Sequence, residues 1–71
     1  MSEIDTNAVK IIEIMGVSTE SFEEALDQAV SKAAESINGI TTVKVIDQTA
    51  DVRDGKVAAY RVTVKLSFVV R

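Results

Sequence analysis

The chain has 71 residues, no cysteine, no histidine and a formal net charge of −3 at pH 7. The missing residue types exclude disulfides and thiolate metal sites, and they remove the commonest transition-metal ligand and general base. Charges of both signs are interleaved along the sequence, so no basic tract suggests binding to nucleic acid or to an anionic membrane.

Residues 1–7 are polar and acidic, and they are predicted to form a flexible lead before a single domain of residues 8–71. The lead has no basic start, and no apolar run of signal or transmembrane length follows it. We therefore expect a cytoplasmic protein that does not contact a membrane.

The first predicted strand starts at Ala8 and is expected to stop at Gly16, because the segment between them is apolar and β-branched. Its apolar residues fall on both faces, since Ile12 and Ile14 alternate with Val9, Ile11 and Met15. A 71-residue chain has little material to cover both faces, so we expect an oligomer in which sheets or sheet edges meet.

A helix is predicted to begin at Ser21 or Phe22, where Ser21 and Glu24 have the spacing of a capping box. Asn38-Gly39 is expected to end the helix in a left-handed conformation. A helix of roughly 17 residues spans about 25 Å, enough to lie across three strands but not to cover both faces of their sheet. Spacings of three and four define its apolar stripe: Phe22, Ala25, Leu26, Ala29, Val30, Ala33 and Ile37.

The remaining sequence is predicted to form one long antiparallel hairpin. Its first strand runs from Ile40 to Arg53 with a bend or bulge near Thr49, and Asp54-Gly55 supplies a tight two-residue turn. The order βαββ predicts an α+β domain in which a three-stranded antiparallel sheet packs on one helix. The last strand alternates almost without error and has one apolar face: Tyr60, Val62, Val64, Leu66, Phe68 and Val70.

Catalysis is not expected from these residues. No serine, carboxylate, lysine or tyrosine lies in a recognisable nucleophile turn or paired-acid motif. Ser18 and Ser21 are better explained as a turn residue and a helix cap. Tyr60 is expected in the core or an interface, whereas Arg61 is suited to phosphate or carboxylate if other subunits enclose it.

Metal binding would have to use oxygen ligands. Asp47, Asp51 and Asp54 are spaced loosely around the hairpin and do not follow the calcium-loop pattern. Solvation of the turn is therefore their expected role, and no transition metal is predicted.

The chain resembles the dodecin family in the order and spacing of four segments: VKIIEIMGVS at 9–18, SFEEA at 21–25, DGKV at 54–57 and YRVTVKLSF at 60–68. The resemblance covers about residues 8–70. Dodecins are small βαββ proteins that assemble as hollow spherical homododecamers. The resemblance therefore implies a sheet partly wrapped around one helix, and self-association into the same hollow homododecamer.

Many dodecins bind flavins in pairs, stacked between tryptophans of symmetry-related subunits and held by a glutamine on the last strand. By family position, the ligand-binding residues here are Thr42 in place of the tryptophan and Arg61 in place of the glutamine. Threonine has no π face, so the aromatic sandwich, worth about 0.5–1.5 kcal/mol per contact beyond area burial, cannot form. Both departures argue against family-type binding of FMN, riboflavin or lumichrome.

Two functions follow from the resemblance. The first is a binding and storage protein that sequesters flavin, or another small planar or anionic ligand, at pockets containing Thr42 and Arg61. The alternative is a flavin-free shell with a structural role or an ion-binding or anion-binding role, which the two departures favour.

Overall fold

The computed structural model describes residues 7–70, so the predicted lead of residues 1–7 lies outside the described residues except for Asn7. The three strands form one antiparallel sheet in the order β1-β3-β2, with the helix on one face. The elements are β1 Ala8–Ser18, α1 Phe22–Ala34, β2 Ile40–Arg53 and β3 Lys56–Val70. The predicted α+β class and the βαββ order are confirmed. Within residues 7–70, no helix has the length and apolar character needed to cross a membrane.

Strand β1 continues two residues beyond the stop expected at Gly16. Val17 and Ser18 keep the antiparallel register with β3. Position 16 requires glycine because α1 packs closely against the strand at this point. A Cβ on this residue would lie 1.9 Å from the carbonyl oxygen of Ala25. The glycine therefore marks a close approach of helix to strand rather than the end of the strand.

Helix α1 begins where it was predicted to begin, with Ser21 as N-cap. The Ser21 hydroxyl accepts a hydrogen bond from the backbone N–H of Glu24 at 3.0 Å. The Glu24 carboxylate accepts from the hydroxyl of buried Ser18, which itself accepts from the backbone N–H groups of Glu20 and Ser21. Ser18 thus serves as the predicted turn residue and joins the end of β1 to the start of α1.

Helix α1 ends earlier than predicted, at Ala34, and contains 13 residues. The last turn tightens, because the backbone N–H groups of Glu35 and Ser36 each bond to the carbonyl three residues back. Gly39 has the expected positive φ of 77°, but it acts in the connection to β2. The 13-residue helix is about 20 Å long, and it packs on β1 and β3 with little contact to β2.

The core lies between α1 and the central strand β3. Its large residues, Val62, Val64 and Leu66, are at most 1% exposed, which confirms the apolar face of the last strand. Val70, predicted on the same face, is 46% exposed because the buried part of β3 ends at Leu66. Three alanines line the helix side of the core: Ala25, Ala29 and Ala33.

The β2–β3 hairpin turns at Asp54-Gly55, whose φ angles of 54° and 74° are those of the predicted two-residue turn. Thr49, near which a bend or bulge was expected, itself pairs regularly with Arg61. The irregularities lie on either side of it, at Val45/Asp47 and at Asp51/Val52, with a further shift at the start of β2. The first of these two skips Ile46 of β2 and the second skips Ala58 of β3, so the register between them, around Thr49, is regular.

The end of the hairpin projects beyond the rest of the sheet. Tyr60 is the last residue of β3 in this direction that pairs with β1. The four strand residues past it extend about 13 Å at 3.3 Å per residue, and the molecule has a long axis of 56 Å. We call residues 51–59 the overhang.

Candidate functional site

Both predicted site residues lie on the sheet face that points away from α1, which we call the outer face. Alternation along β3 places Val62, Val64 and Leu66 toward the helix, so the residues between them face outward. The register then assigns residues of the other strands to the same face, including Thr42 beside Ser67 and Thr49 beside Arg61. The outer face is therefore the surface on which a ligand would meet the predicted residues.

One copy of the chain does not bring Thr42 and Arg61 together. Thr42 pairs with Ser67, whereas Arg61 pairs with Thr49. Their partners place them six residues apart along β3, a distance of about 20 Å. A pocket that contains both residue types must therefore take them from different copies.

Arg61 is held on the outer face by Asp51 of the same chain. Its Nε donates to both carboxylate oxygens, at 3.2 Å and 3.1 Å, and its Nη2 donates to Oδ2 at 2.9 Å. Nη1 lies 3.8 Å from the sulfur of Met15 on β1. The guanidinium therefore spans the three strands and is fixed in one orientation by a forked contact.

The ion pair remains open to solvent, with side chains 38% exposed at Arg61 and 43% exposed at Asp51. The hydrogen bond from Arg61 holds the pKa of the Asp51 carboxyl below its ordinary value, and the nearby positive charges act in the same direction. The same hydrogen bond raises the pKa of the Arg61 guanidinium. Both groups are charged at neutral pH, so an anion that binds Arg61 has to share it with Asp51 or displace it.

Sequence reasoning did not find this ion pair. Arg61 was expected to bind phosphate or carboxylate where other subunits enclose it, and Asp51 was expected to solvate the turn. The missing signal was register, because the Asp51 carboxylate reaches Arg61 diagonally from beside Thr49. The sequence shows that Asp51 and Arg61 have opposite charges and lie ten residues apart in the predicted hairpin. The position of the bulge decides whether their side chains are close enough to pair.

Strand β1 presents a row of exposed apolar side chains on the outer face. They are 44–58% exposed and alternate along the strand, with exposed Glu13 between Ile11 and Met15 on the same face. We call them the β1 apolar stripe: Val9, Ile11, Met15 and Val17. Val43 and Val45 on the helix side of β2 are also exposed, because α1 makes little contact with that strand. The expectation that strand surface would remain uncovered in one copy is confirmed.

The acidic residues of the hairpin are dispersed. Asp51 is engaged by Arg61, Asp47 accepts a hydrogen bond from the backbone N–H of Gln48, and Asp54 lies in the turn. Among residues 7–70 no three acidic side chains converge as a metal-binding group.

Comparisons with known proteins agree on the family. The family model described as Dodecin matches residues 8–71. A curated relative, the calcium dodecin of Mycobacterium tuberculosis, is 36% identical over 62 residues, which cover 87% of each chain.

Solved structures show the same fold. Dodecin from Streptomyces coelicolor superposes with a TM-score of 0.91 at 24% identity, over 96% of this chain and 97% of that one. The crystal structure of the calcium dodecin of M. tuberculosis, described as having a novel calcium-binding site, gives a TM-score of 0.80 at 37% identity over 90% and 91%. The similarity to the S. coelicolor structure establishes the fold, and the M. tuberculosis structure is similar in both fold and sequence.

Proposed function

The chain belongs to the dodecin family, and from this premise we propose that it is a non-catalytic binding and storage protein that assembles as a hollow homododecamer. The observation that carries the proposal is the β1 apolar stripe, whose residues are 44–58% exposed in one copy. A row of exposed apolar side chains along one strand face, interrupted here by Glu13, is typical of surface that a protein partner covers. A ligand pocket that takes Thr42 and Arg61 from different copies requires the same association.

The assembly is tested by sedimentation or light scattering of the purified protein at micromolar concentration. The expected mass is about twelve times that of the 7.7 kDa chain. A monomer at these concentrations contradicts the proposal, because a monomer leaves the β1 apolar stripe in water and keeps Thr42 and Arg61 apart.

For the ligand, we propose a small planar molecule with an anionic group that contacts Arg61. Thr42 offers no ring for stacking, whereas the fixed guanidinium of Arg61 offers donors to a phosphate or carboxylate. The affinity is expected to be lower than that of a stacked flavin, because the ligand competes with Asp51 for the same donors.

Flavin fluorescence tests this choice, because FMN and riboflavin differ by one phosphate. We expect FMN to be quenched at lower protein concentration than riboflavin or lumichrome, and we expect Arg61→Gln to remove the difference. Equal affinity for all three contradicts a phosphate contact. The double variant Thr42→Trp with Arg61→Gln restores the family residues and is expected to bind all three flavins tightly.

Calcium is the second candidate, because a relative at 36% identity bears the name calcium dodecin. Within residues 7–70 one copy does not gather three acidic side chains, so the proposed site draws carboxylates from several copies, with Asp47 as the contribution of β2. Titration calorimetry with Ca²⁺, with Mg²⁺ as control, tests it. We expect binding by the assembled protein and its loss in Asp47→Asn, and unchanged binding by that variant rules out this residue.

A further inference from the structure

Asp51, the first residue of the overhang, occupies one side of the Arg61 guanidinium. The Nε of Arg61 donates to both carboxylate oxygens, at 3.2 Å and 3.1 Å, and its Nη2 donates to Oδ2 at 2.9 Å. Nε and Nη2 form the kind of fork that suits carboxylate and phosphate, because their N–H groups are parallel. The Asp51 carboxylate therefore takes the donors that the anionic group of a ligand would use.

The other side of the guanidinium offers a ligand less. Nη1 lies 3.8 Å from the sulfur of Met15, which is only a weak hydrogen-bond acceptor. An anion that approached Nη1 while Asp51 stayed in place would meet a guanidinium whose charge a carboxylate already balances. A strong contact between Arg61 and an anion therefore requires the Asp51 carboxylate to move away.

The Asp51 side chain has room to move, and a second cation lies near it. The side chain is 43% exposed, so its carboxylate can leave Arg61 without crossing the core. Arg53 follows two positions later on β2, and strand alternation places it on the same face. The hydrogen bond from Arg61 does most to lower the pKa of Asp51, and the positive charge of Arg53 lowers it further. A carboxylate released from Arg61 thus remains beside a cation.

Exchange at Arg61 separates ligands by their charge. A ligand carboxylate would replace the Asp51 carboxylate like for like, and Asp51 has the advantage of belonging to the same chain. A carboxylate ligand therefore gains little from Arg61 over a neutral one. A phosphate monoester carries a charge of about −1.5 to −2 at pH 7, so its attraction to Arg61 exceeds that of Asp51.

We propose that Asp51 is a specificity-determining residue, which keeps Arg61 from neutral and carboxylate ligands and yields it to a phosphate monoester. The inference rests on the anionic ligand proposed above, and it names the class of anion and the residue that selects it. Asp51 and Arg61 pair within one copy of the chain. The selection therefore operates whichever copy supplies Thr42.

Three flavins that differ only at the end of the side chain test the selection. Riboflavin ends in a neutral hydroxymethyl group, riboflavinic acid has a carboxylate at the same carbon, and FMN carries a phosphate there. Dissociation constants are measured by fluorescence quenching with wild type, Asp51→Asn, Arg61→Gln and the double variant. Asp54→Asn is the charge-matched control, because it removes a carboxylate from the turn and asparagine accepts the φ of 54° there.

Wild type is expected to bind FMN about tenfold more tightly than riboflavin, and riboflavinic acid within about twofold of riboflavin. In Asp51→Asn, riboflavinic acid should gain about tenfold while riboflavin stays unchanged, because the neutral amide competes weakly for Arg61. The gain should vanish when Arg61→Gln is added, since Asp51 acts through Arg61. Asp54→Asn should bind all three flavins as wild type does.

The outcomes separate the selection by Asp51 from the phosphate contact itself. A wild type that prefers FMN to riboflavin but binds riboflavinic acid as tightly as FMN overturns the selection and leaves the contact of Arg61 with an anion intact. An Asp51→Asn variant with wild-type affinities has the same meaning. A gain for riboflavinic acid that persists without Arg61 also overturns the proposal, because Asp51 then repels the ligand directly. Equal binding of the three flavins by every variant, or no binding, overturns both the phosphate contact and the selection.

Discussion

The two faces of the sheet are formed by the same strands, but in one copy the first is buried and the second is exposed. Toward α1, Val62, Val64 and Leu66 are at most 1% exposed and pack on a helix whose fully buried positions are alanines. Away from α1, the β1 apolar stripe is 44–58% exposed, and the Arg61–Asp51 pair lies in solvent. One face is completed within the chain, and the other remains exposed in one copy.

The difference shows that a short chain with a single helix can bury only one face of its sheet. Small residues at Gly16 and along the helix let α1 approach the sheet closely, which fills the core with few atoms. The helix then covers little more than β1 and β3. Substitutions on the covered face should therefore change the free energy of unfolding, and substitutions on the outer face should change the state of association.

Gly16→Ala is expected to have the largest effect on the covered face. The new Cβ would lie 1.9 Å from the Ala25 carbonyl oxygen and 3.0 Å from the Ala29 side chain, so the helix has to move away from the strand. We expect a loss of about 3 kcal/mol or more in the free energy of unfolding. Urea unfolding at one fixed protein concentration measures it, since association contributes to apparent stability.

Gly39→Ala is the matched control for that substitution. A Cβ at Gly39 meets no heavy atom within 4 Å, but φ is +77°. The expected cost is therefore about 1 kcal/mol, from backbone strain alone. Equal losses for the two variants would show that close approach of α1 is not what requires glycine at position 16.

Leu66→Ala should come next on the same face. Leu66 is fully buried, and its truncation removes apolar contacts and leaves a cavity beneath the helix. We expect a loss of about 3 kcal/mol, within the usual range for buried leucines. Val70→Ala, on the same alternating face but 46% exposed, should cost about 0.5 kcal/mol, and a similar loss at both positions contradicts the boundary of the core at Leu66.

Ile11→Lys moves the test to the outer face. Ile11 is 58% exposed in one copy, so the charge should change the stability of the isolated fold by only about 0.5 kcal/mol. If the β1 apolar stripe is an interface, the desolvated charge should instead lower the mass of the assembly toward that of single chains. Light scattering across a concentration series measures the mass, with Thr19→Lys as the charge-matched control. Full mass for both variants removes the β1 apolar stripe from the interface.

The sequence predicted the covered face well because local signals agree there. Ser21 fixed the helix start, Asp54-Gly55 fixed the hairpin turn, and alternation through Val62, Val64 and Leu66 identified the buried face. The errors arose where tertiary packing, and not a local signal, determines which residue a position requires. Gly16 was interpreted as a strand end, although its role is to admit the helix.

The candidate site was less predictable, because strand register and symmetry decide it. Thr42 and Arg61 were identified by family position, but their separation along β3 follows from pairings that the bulges of β2 set. The Asp51–Arg61 contact depends on the same register. Residues supplied by another copy have no local signal in one chain, which is why the outer face was predicted only as a surface that needs cover.

Asp51→Asn should have the smallest effect, and it distinguishes a solvated ion pair from one enclosed by other copies. The folded pKa of Asp51 lies below its unfolded value because Arg61 hydrogen-bonds to the carboxylate. The stability from the pair is therefore fully present above the ordinary aspartate pKa of about 4, and it is lost as pH falls through the lowered folded pKa. Wild type should lose stability relative to Asp51→Asn only in that acidic window, and Arg61→Gln should show the same loss of pH dependence. A difference that persists in 1 M salt means that further copies enclose the pair, because salt screens a solvent-exposed pair at 38% and 43% exposure.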